Sequence, residues 1–194
     1  MAIFSSARMA APRWKCLGHR QIVPRCRSSL NERIESAAHA EEFVQWAKFA
    51  PRGSRGMNTS GWDANFTHLG QLEFAEKANR EHFLAIQIET AGALNDIDAI
   101  TAIDGVDLVF VGPADLSQSL GIQGQRTHQK IWDALEAVAA ACKKHGKHWG
   151  IVPVDPSFAQ RTYDMGCRMI TFGNDIVALK TGIAAIKQAY SAMF

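Results

Sequence analysis

Glu89 and Asp115 are the residues best placed to do chemistry. Glu89 ends the apolar run LAIQIET, and Asp115 follows the run VDLVFV in VDLVFVGPADLS. Both runs are short, rich in β-branched residues and closed by turn-forming residues, so each reads as a buried strand. If the strands are parallel neighbours, their C-terminal ends share one rim and both carboxylates stand on it. Two such charges repel unless a cation or a shared proton joins them. Carboxylate oxygens with room for water suit Mg²⁺ or Mn²⁺. Gln87 lies two residues before Glu89 on the same side of the strand, so its amide can reach a bound ligand. Gly112-Pro113-Ala114-Asp115 opens a helix, and the first N–H groups of a helix can take a carboxylate. The plainer reading makes Glu89 a solvated loop charge and Asp115 a helix cap. Spacing alone leaves both readings open.

Other residues are weaker candidates. His145 and His148 are three apart, but Gly146 breaks the helix between them, so they read as surface residues. Ser60, Ser117 and Ser119 have no nucleophile-elbow context. Arg52 and Arg55, in the glycine-rich stretch PRGSRGMNTSGWDANF, read as loop arginines able to bind a carboxylate. Cys142 and Cys167 read as core residues. With Cys16 and Cys26 they form no CxxC pair, which argues against a zinc site or a disulfide framework. A reducing, cytoplasmic compartment is the default.

The elements that position the rim are regular from residue 34 onward. Ser36 starts a helix that Pro51 stops. A long loop follows, of a length that is often functional. Residues 69–82 read as a helix with Leu72, Ala75 and Ala78 on one side. Strands are predicted at 83–88, 106–111, 149–154 and 168–172. Helices are predicted at 91–103, 114–120, 128–145, 157–165 and 175–193, the last capped by Asn174. Four strand–helix units in a row mean an α/β fold with a parallel sheet covered by helices. A doubly wound sheet and a (β/α)8 TIM barrel both fit. No GxGxxG and no GxxxxGK[ST] occurs, which speaks against a nucleotide-binding doubly wound sheet. A barrel needs about 250 residues and eight strands. Residues 34–194 supply four strands and read as the C-terminal half of one.

Composition frames this reading. The chain has 194 residues, 47% hydrophobic and 21% charged, with a formal net charge of +2. That excludes a disordered acidic chain and a collagen. No apolar run of about 18 residues occurs, so no membrane partner is expected. Residues 1–33 hold seven basic residues against the single acid Glu32, which leaves the remainder mildly acidic. This irregular basic segment reads as a tail without native structure, a frame-shifted stretch, a mitochondrial transit peptide or a basic arm. It carries no nucleic-acid motif, so no nucleic-acid partner is expected.

The stretch QIETAGALNDIDAITAIDGVDLVFVGPADLS resembles the class II 2-oxo-acid aldolases of the HpcH/HpaI family, and the likeness extends over about 34–194. The QIET and GPADLS elements and their separation carry it. The resemblance implies a (β/α)8 barrel of the phosphoenolpyruvate/pyruvate-binding type, preceded here by the irregular basic segment. It implies a homo-oligomer in which the last helix is exchanged between neighbours. It makes Glu89 and Asp115 metal ligands, Gln87 a substrate contact, and Gly112 and Ala114 backbone contacts to a pyruvate carboxylate. The activity implied is divalent-metal-dependent carbon–carbon lyase chemistry on 4-hydroxy-2-oxo acids, with pyruvate and an aldehyde as partners. No Schiff-base lysine is required.

The departures are as informative. The family's histidine base and catalytic arginine belong to the first half of the barrel, and neither segment has a counterpart here. His19 and Arg20 lie in the basic head outside any such pattern. The strand expected just before ESA is replaced by NERIES. The expectation that follows is low activity for residues 1–194 alone. The alternative is a truncated, weak or inactive half-barrel that binds metal and oxo acid or serves as a partner subunit.

Overall fold

A computed structural model describes residues 28–31, 33–61 and 64–193. Five strands form one sheet in the order β1-β2-β3-β4-β5, every neighbouring pair parallel. They are β1 (Ser28–Asn31), β2 (Phe83–Ile88), β3 (Leu108–Val111), β4 (His148–Ile151) and β5 (Met169–Ile170). The helices are α1 (Ala37–Ala47), α2 (Gln71–Glu81), α3 (Ala91–Asn95), α4 (Ile97–Ala102), α5 (Pro113–Ser119), α6 (Gln129–Lys144), α7 (Pro156–Asp164) and α8 (Asp175–Ala189). The strand order never reverses. A doubly wound sheet has a switch point where it does, so this sheet is the wall of a barrel.

Alternation along the strands sorts the two faces. Leu84, Ile86 and Ile88, with Val109, Val111, Trp149 and Ile151, pack under the helices in the main core. The opposite face carries a small cluster of Ala85, Leu108 and Phe110. Gln87 and Glu89 continue the Ala85 row, and Gly112 continues the Phe110 row. The rim residues therefore stand on the inner face of the wall. Gly150 lies on that face as well, where a Cβ would come within 2.7 Å of the Met169 carbonyl oxygen and 2.8 Å of Phe110. Only glycine lets β4 and β5 approach there.

Local chemistry explains the boundaries. Ser36, Thr90, Asp155 and Asn174 each accept a backbone N–H three residues on, capping α1, α3, α7 and α8. Gly146 and Gly166 follow α6 and α7 at φ +64° and +96°, where a side chain is strained. The main ladder of β4 stops before Pro153, which has no N–H to donate.

The structure corrects four expectations. The segment set apart as irregular contains β1, whose Ser28–Asn31 pairs with Phe83–Ile86; the strand before ESA is therefore present. Residues 1–27 and Glu32 lie outside the described residues, as do the expectations placed on them. The single helix at 91–103 is two, broken at Asp96, whose carboxylate accepts the Ala37 N–H at 2.8 Å. Leu72 is 73% exposed, and Phe74 with Ala75 and Ala78 forms the buried side of α2.

The glycine-rich loop, fourth, is structural in its described part. The Arg52 guanidinium donates to both oxygens of Glu41, at 2.8 and 2.9 Å, and to the Asp104 carbonyl. Arg55 lies over the Phe49 ring, 4.5 Å from its centre. The buried Lys48 ammonium donates to the carbonyls of Asn79 and His82. All of these contacts lie at the N-terminal end of the strands, opposite the rim. Cys142 and Cys167 are buried free thiols, and burial pushes Cys142 up to about 12.

Candidate functional site

The carboxyl rim of β1, β2 and β3 holds a cavity of about 240 Å³ lined by Arg33, Glu89, Thr90, Asp115, Gln118 and Ser119. Glu89 is the residue after β2, and β2 pairs with β3 so that Ile88 stands beside Val111. Asp115 sits in the first turn of α5, directly after β3. The two carboxylates thus reach one cavity from adjacent strand ends.

Glu89 is 5% exposed, and a buried carboxylate must have its oxygens satisfied. The Arg33 backbone N–H donates to Oε1 at 2.6 Å, and the Gln87 amide donates to Oε2 at 2.7 Å. Thr90 secures the same corner. Its hydroxyl donates to the Ile34 carbonyl at 2.7 Å and accepts the Ala93 N–H at 3.0 Å. Ser119 accepts the Ala91 N–H at 2.8 Å and ties the end of α5 to the start of α3.

Gly112 acts by what it lacks. A Cβ there would stand 2.9 Å from the Gln87 amide nitrogen and 3.2 Å from Glu89 Oε2. Its N–H is already given to the Ile88 carbonyl at 3.1 Å, continuing the ladder. Pro113 has no N–H, so the donors that helix geometry leaves free in this turn are those of Ala114 and Asp115.

Two carboxylates on one cavity are the donor type that a hard divalent cation takes. Buried Glu89 and exposed Asp115 line the cavity together with the hydroxyl residues Thr90 and Ser119 and the amide residue Gln118. Among the described residues, no group of three or more His, Cys, Asp or Glu side chains could hold a metal ion. A cation held by two carboxylates would draw its other oxygens from water and ligand, as Mg²⁺ does.

The sequence expectations divide accordingly. Glu89 and Asp115 come together. Gln87 stands beside them but spends an amide hydrogen on Glu89 and is not among the cavity's lining residues. Gly112 leaves its N–H in the ladder, whereas Ala114 starts the exposed turn. Arg33, Thr90, Gln118 and Ser119 were not singled out as ligand-facing. The T-A-G after QIE was the available signal for Thr90, since a Thr before a helix caps it.

A parallel strand–helix wall of this order, with two acids on its inner carboxyl rim, is part of a (β/α)8 barrel. Comparison with known proteins sharpens this. The sequence pattern described as HpcH/HpaI aldolase/citrate lyase matches residues 33–181. The chain belongs to that family. It is 33% identical over 156 residues to a hydroxypyruvate/pyruvate aldolase of Cupriavidus necator, covering 78% of this chain and 56% of the relative. It is 33% identical over 164 residues to a 2-keto-3-deoxy-L-rhamnonate aldolase of Klebsiella pneumoniae, covering 81% and 61%. The crystal structure of an HpcH/HpaI aldolase from Desulfitobacterium hafniense superposes with a TM-score of 0.74 at 34% identity, over 83% of this chain and 64% of that one. The chain therefore spans less than two thirds of the relatives' length.

Proposed function

We propose that this chain carries the metal- and oxo-acid-binding part of a class II aldolase that cleaves or forms 4-hydroxy-2-oxo acids. The observation that carries this is the meeting of Glu89 and Asp115 in one cavity from adjacent strand ends. They would hold Mg²⁺ or Mn²⁺. Such a cation supplies Lewis-acid polarisation of the 2-oxo group and offsets the negative charge that develops when the neighbouring carbon–carbon bond breaks. Glu89 is oriented by Gln87 and by the Arg33 backbone, so the site needs little rearrangement on binding. The exposed N–H groups of Ala114 and Asp115 orient the substrate carboxylate. The aldehyde fragment leaves through the open side of the cavity.

A second reading has its own observation. No histidine and no lysine is among the cavity's described lining residues. A chain with this lining binds oxo acid and moves protons slowly. The deciding experiment mixes purified 1–194 with Mn²⁺ and pyruvate in D₂O and follows the methyl protons by NMR. Metal-dependent exchange establishes enolate formation. Binding without exchange leaves a binding module. Glu89→Gln, which keeps the size of the side chain and removes the charge, is expected to weaken Mn²⁺ at least tenfold. Unchanged Mn²⁺ affinity in that variant sinks the metal assignment.

A further inference from the structure

Two hydrogen bonds tie the segment that carries Asp115 to the segment that carries Glu89, and they flank both acids. On one side of the pair, the Gly112 N–H donates to the Ile88 carbonyl at 3.1 Å. On the other, the Ala91 N–H donates to the Ser119 hydroxyl at 2.8 Å. The chain from Ile88 to Ala91 and the chain from Gly112 to Ser119 thus form one closed frame. Glu89 stands on one bar of it and Asp115 on the other.

The two bonds differ in kind. The Gly112 bond continues the β2–β3 ladder and places only the start of α5. A short helix held at one end can still swing about that end. Ser119 closes the other end, and its hydroxyl reaches the β2 side. Asp115 stands four residues earlier, on the same face of the helix, and the two residues line one cavity. The Ser117 hydroxyl, by contrast, donates to the Ala114 carbonyl at 2.7 Å and accepts the Gly124 N–H at 3.1 Å, so it ties α5 to its own following loop. The anchor that Ser119 grips is firm. Thr90 caps α3 and donates to the Ile34 carbonyl, and a Cβ on Gly92 would run into the Glu35 carbonyl oxygen. The start of α3 is therefore packed flush against the turn after β1.

We infer that Ser119 is a positioning residue that sets the separation of Glu89 and Asp115 and, through it, the size of cation the pair prefers. This rests on the proposed metal reading. A frame of fixed width favours a small ion that demands near-ideal geometry, as Mg²⁺ does with ligands at about 2.1 Å. Ca²⁺ takes ligands at about 2.3–2.6 Å in flexible arrangements and tolerates a looser frame. The rival role is a plain cap on the Ala91 N–H, which stands in the first turn of α3 and has no intrahelical partner. That role affects stability and leaves cation choice alone.

Calorimetry on the full 1–194 chain separates these, titrating Mg²⁺ and Ca²⁺ in turn into wild type, Ser119→Ala and Ser119→Thr. Ser119 is exposed, so neither replacement opens a hole in the core. Ser119→Ala is expected to weaken Mg²⁺ about fivefold, the scale of one hydrogen bond, and to change Ca²⁺ less than about twofold. Ser119→Thr keeps the hydroxyl and is expected to hold the wild-type ratio of the two affinities. If wild type takes Mg²⁺ alone, the same fivefold loss in Ser119→Ala and its recovery in Ser119→Thr are expected. Equal loss of both cations in Ser119→Ala, or loss of neither, overturns the inference and leaves the metal reading standing. A loss in Ser119→Thr as large as in Ser119→Ala overturns it as well, and so does wild-type binding of Ca²⁺ alone. Failure of wild type to bind either cation sinks the metal reading itself, and this inference with it.

Discussion

Glu89 owes its usefulness to the donors behind it. A carboxylate buried to this degree and left unpartnered would be costly and would take up a proton. The Arg33 and Gln87 N–H groups are among its partners, and the Gln87 contact depends on an absent methyl at Gly112. The clash a Cβ would cause falls on the far end of the Gln87 side chain, which can swing away. Gly112→Ala is therefore expected to change the melting temperature little, by about 3 °C or less for a shift under 1 kcal/mol in a chain of this size. Mn²⁺ affinity is expected to fall about tenfold as Gln87 releases Glu89. A calorimetric titration beside a thermal melt checks the split. A large drop in melting temperature with intact Mn²⁺ affinity would reverse the assignment. The carboxylate pair was legible in the sequence because each member closes an apolar run. The partnership of Gln87 with Glu89 was not, since spacing puts two side chains on one face without saying which of them turns to the other.

Among the elements, α1 shows how charge at the foot of the wall holds a helix to the loop that follows it. The Arg52 hydrogen bonds hold Glu41 below its ordinary value of 4.5. A carboxylate whose folded pKa is depressed gives stability that is complete above its unfolded pKa and lost as pH falls through the folded one. The pair is partly exposed, with the Glu41 side chain 40% exposed, so after solvent screening the contribution is on the order of 0.5 kcal/mol. The melting temperature of Glu41→Gln is expected to lie below wild type at pH 7, and the gap is expected to narrow as pH falls through and below the ordinary carboxylate range. A gap of the same size at pH 3 and pH 7 would show that charge is not its cause. Elements with strong local signals were read well: β2 at 83–88 from its apolar run, and the start of α8 from the Asn174 cap, although α8 ends at Ala189, four residues before the expected 193. β1 escaped. It is an edge strand held by ladder hydrogen bonds to β2, its Leu30 is 41% exposed, and it leaves no apolar pattern in a basic stretch. Arg33 was hidden for the same reason, since it belongs to the turn that β1 ends in. The break at Asp96 escaped because it is made by a carboxylate reaching Ala37, 59 residues away in the chain.

At the scale of the molecule, α8 has no buried residue. Ile176, Leu179, Ile183 and Ile186 are 49–61% exposed and recur at three- and four-residue spacing, which makes one apolar face. β1 and β5 are also unpaired on their outer sides among the described residues. Exposed apolar surface and open strand edges both favour association. We propose that the chain is a homo-oligomer through α8. Sedimentation velocity is expected to show a species larger than 21 kDa that dissociates on dilution, and Leu179→Glu with Ile183→Glu is expected to shift it toward monomer. A wild-type chain that sediments as a monomer at high concentration would contradict this. No helix among the described residues is long and apolar enough to cross a membrane.

The sequential strand order also bears on how the wall is assembled in time. Gly150 and Met169, partners across β4 and β5, are 19 residues apart, whereas Ser28 and Phe83, partners across β1 and β2, are 55 apart. Closing the longer loop costs about 1 kcal/mol more in chain entropy. Leu30, in the middle of β1, is 41% exposed and adds little buried surface to offset that cost. β1 is the natural last strand to dock and the first to fray. The turn that closes over Glu89 arrives with it, so the clamp on the acidic pair is completed only when the rest of the sheet already stands.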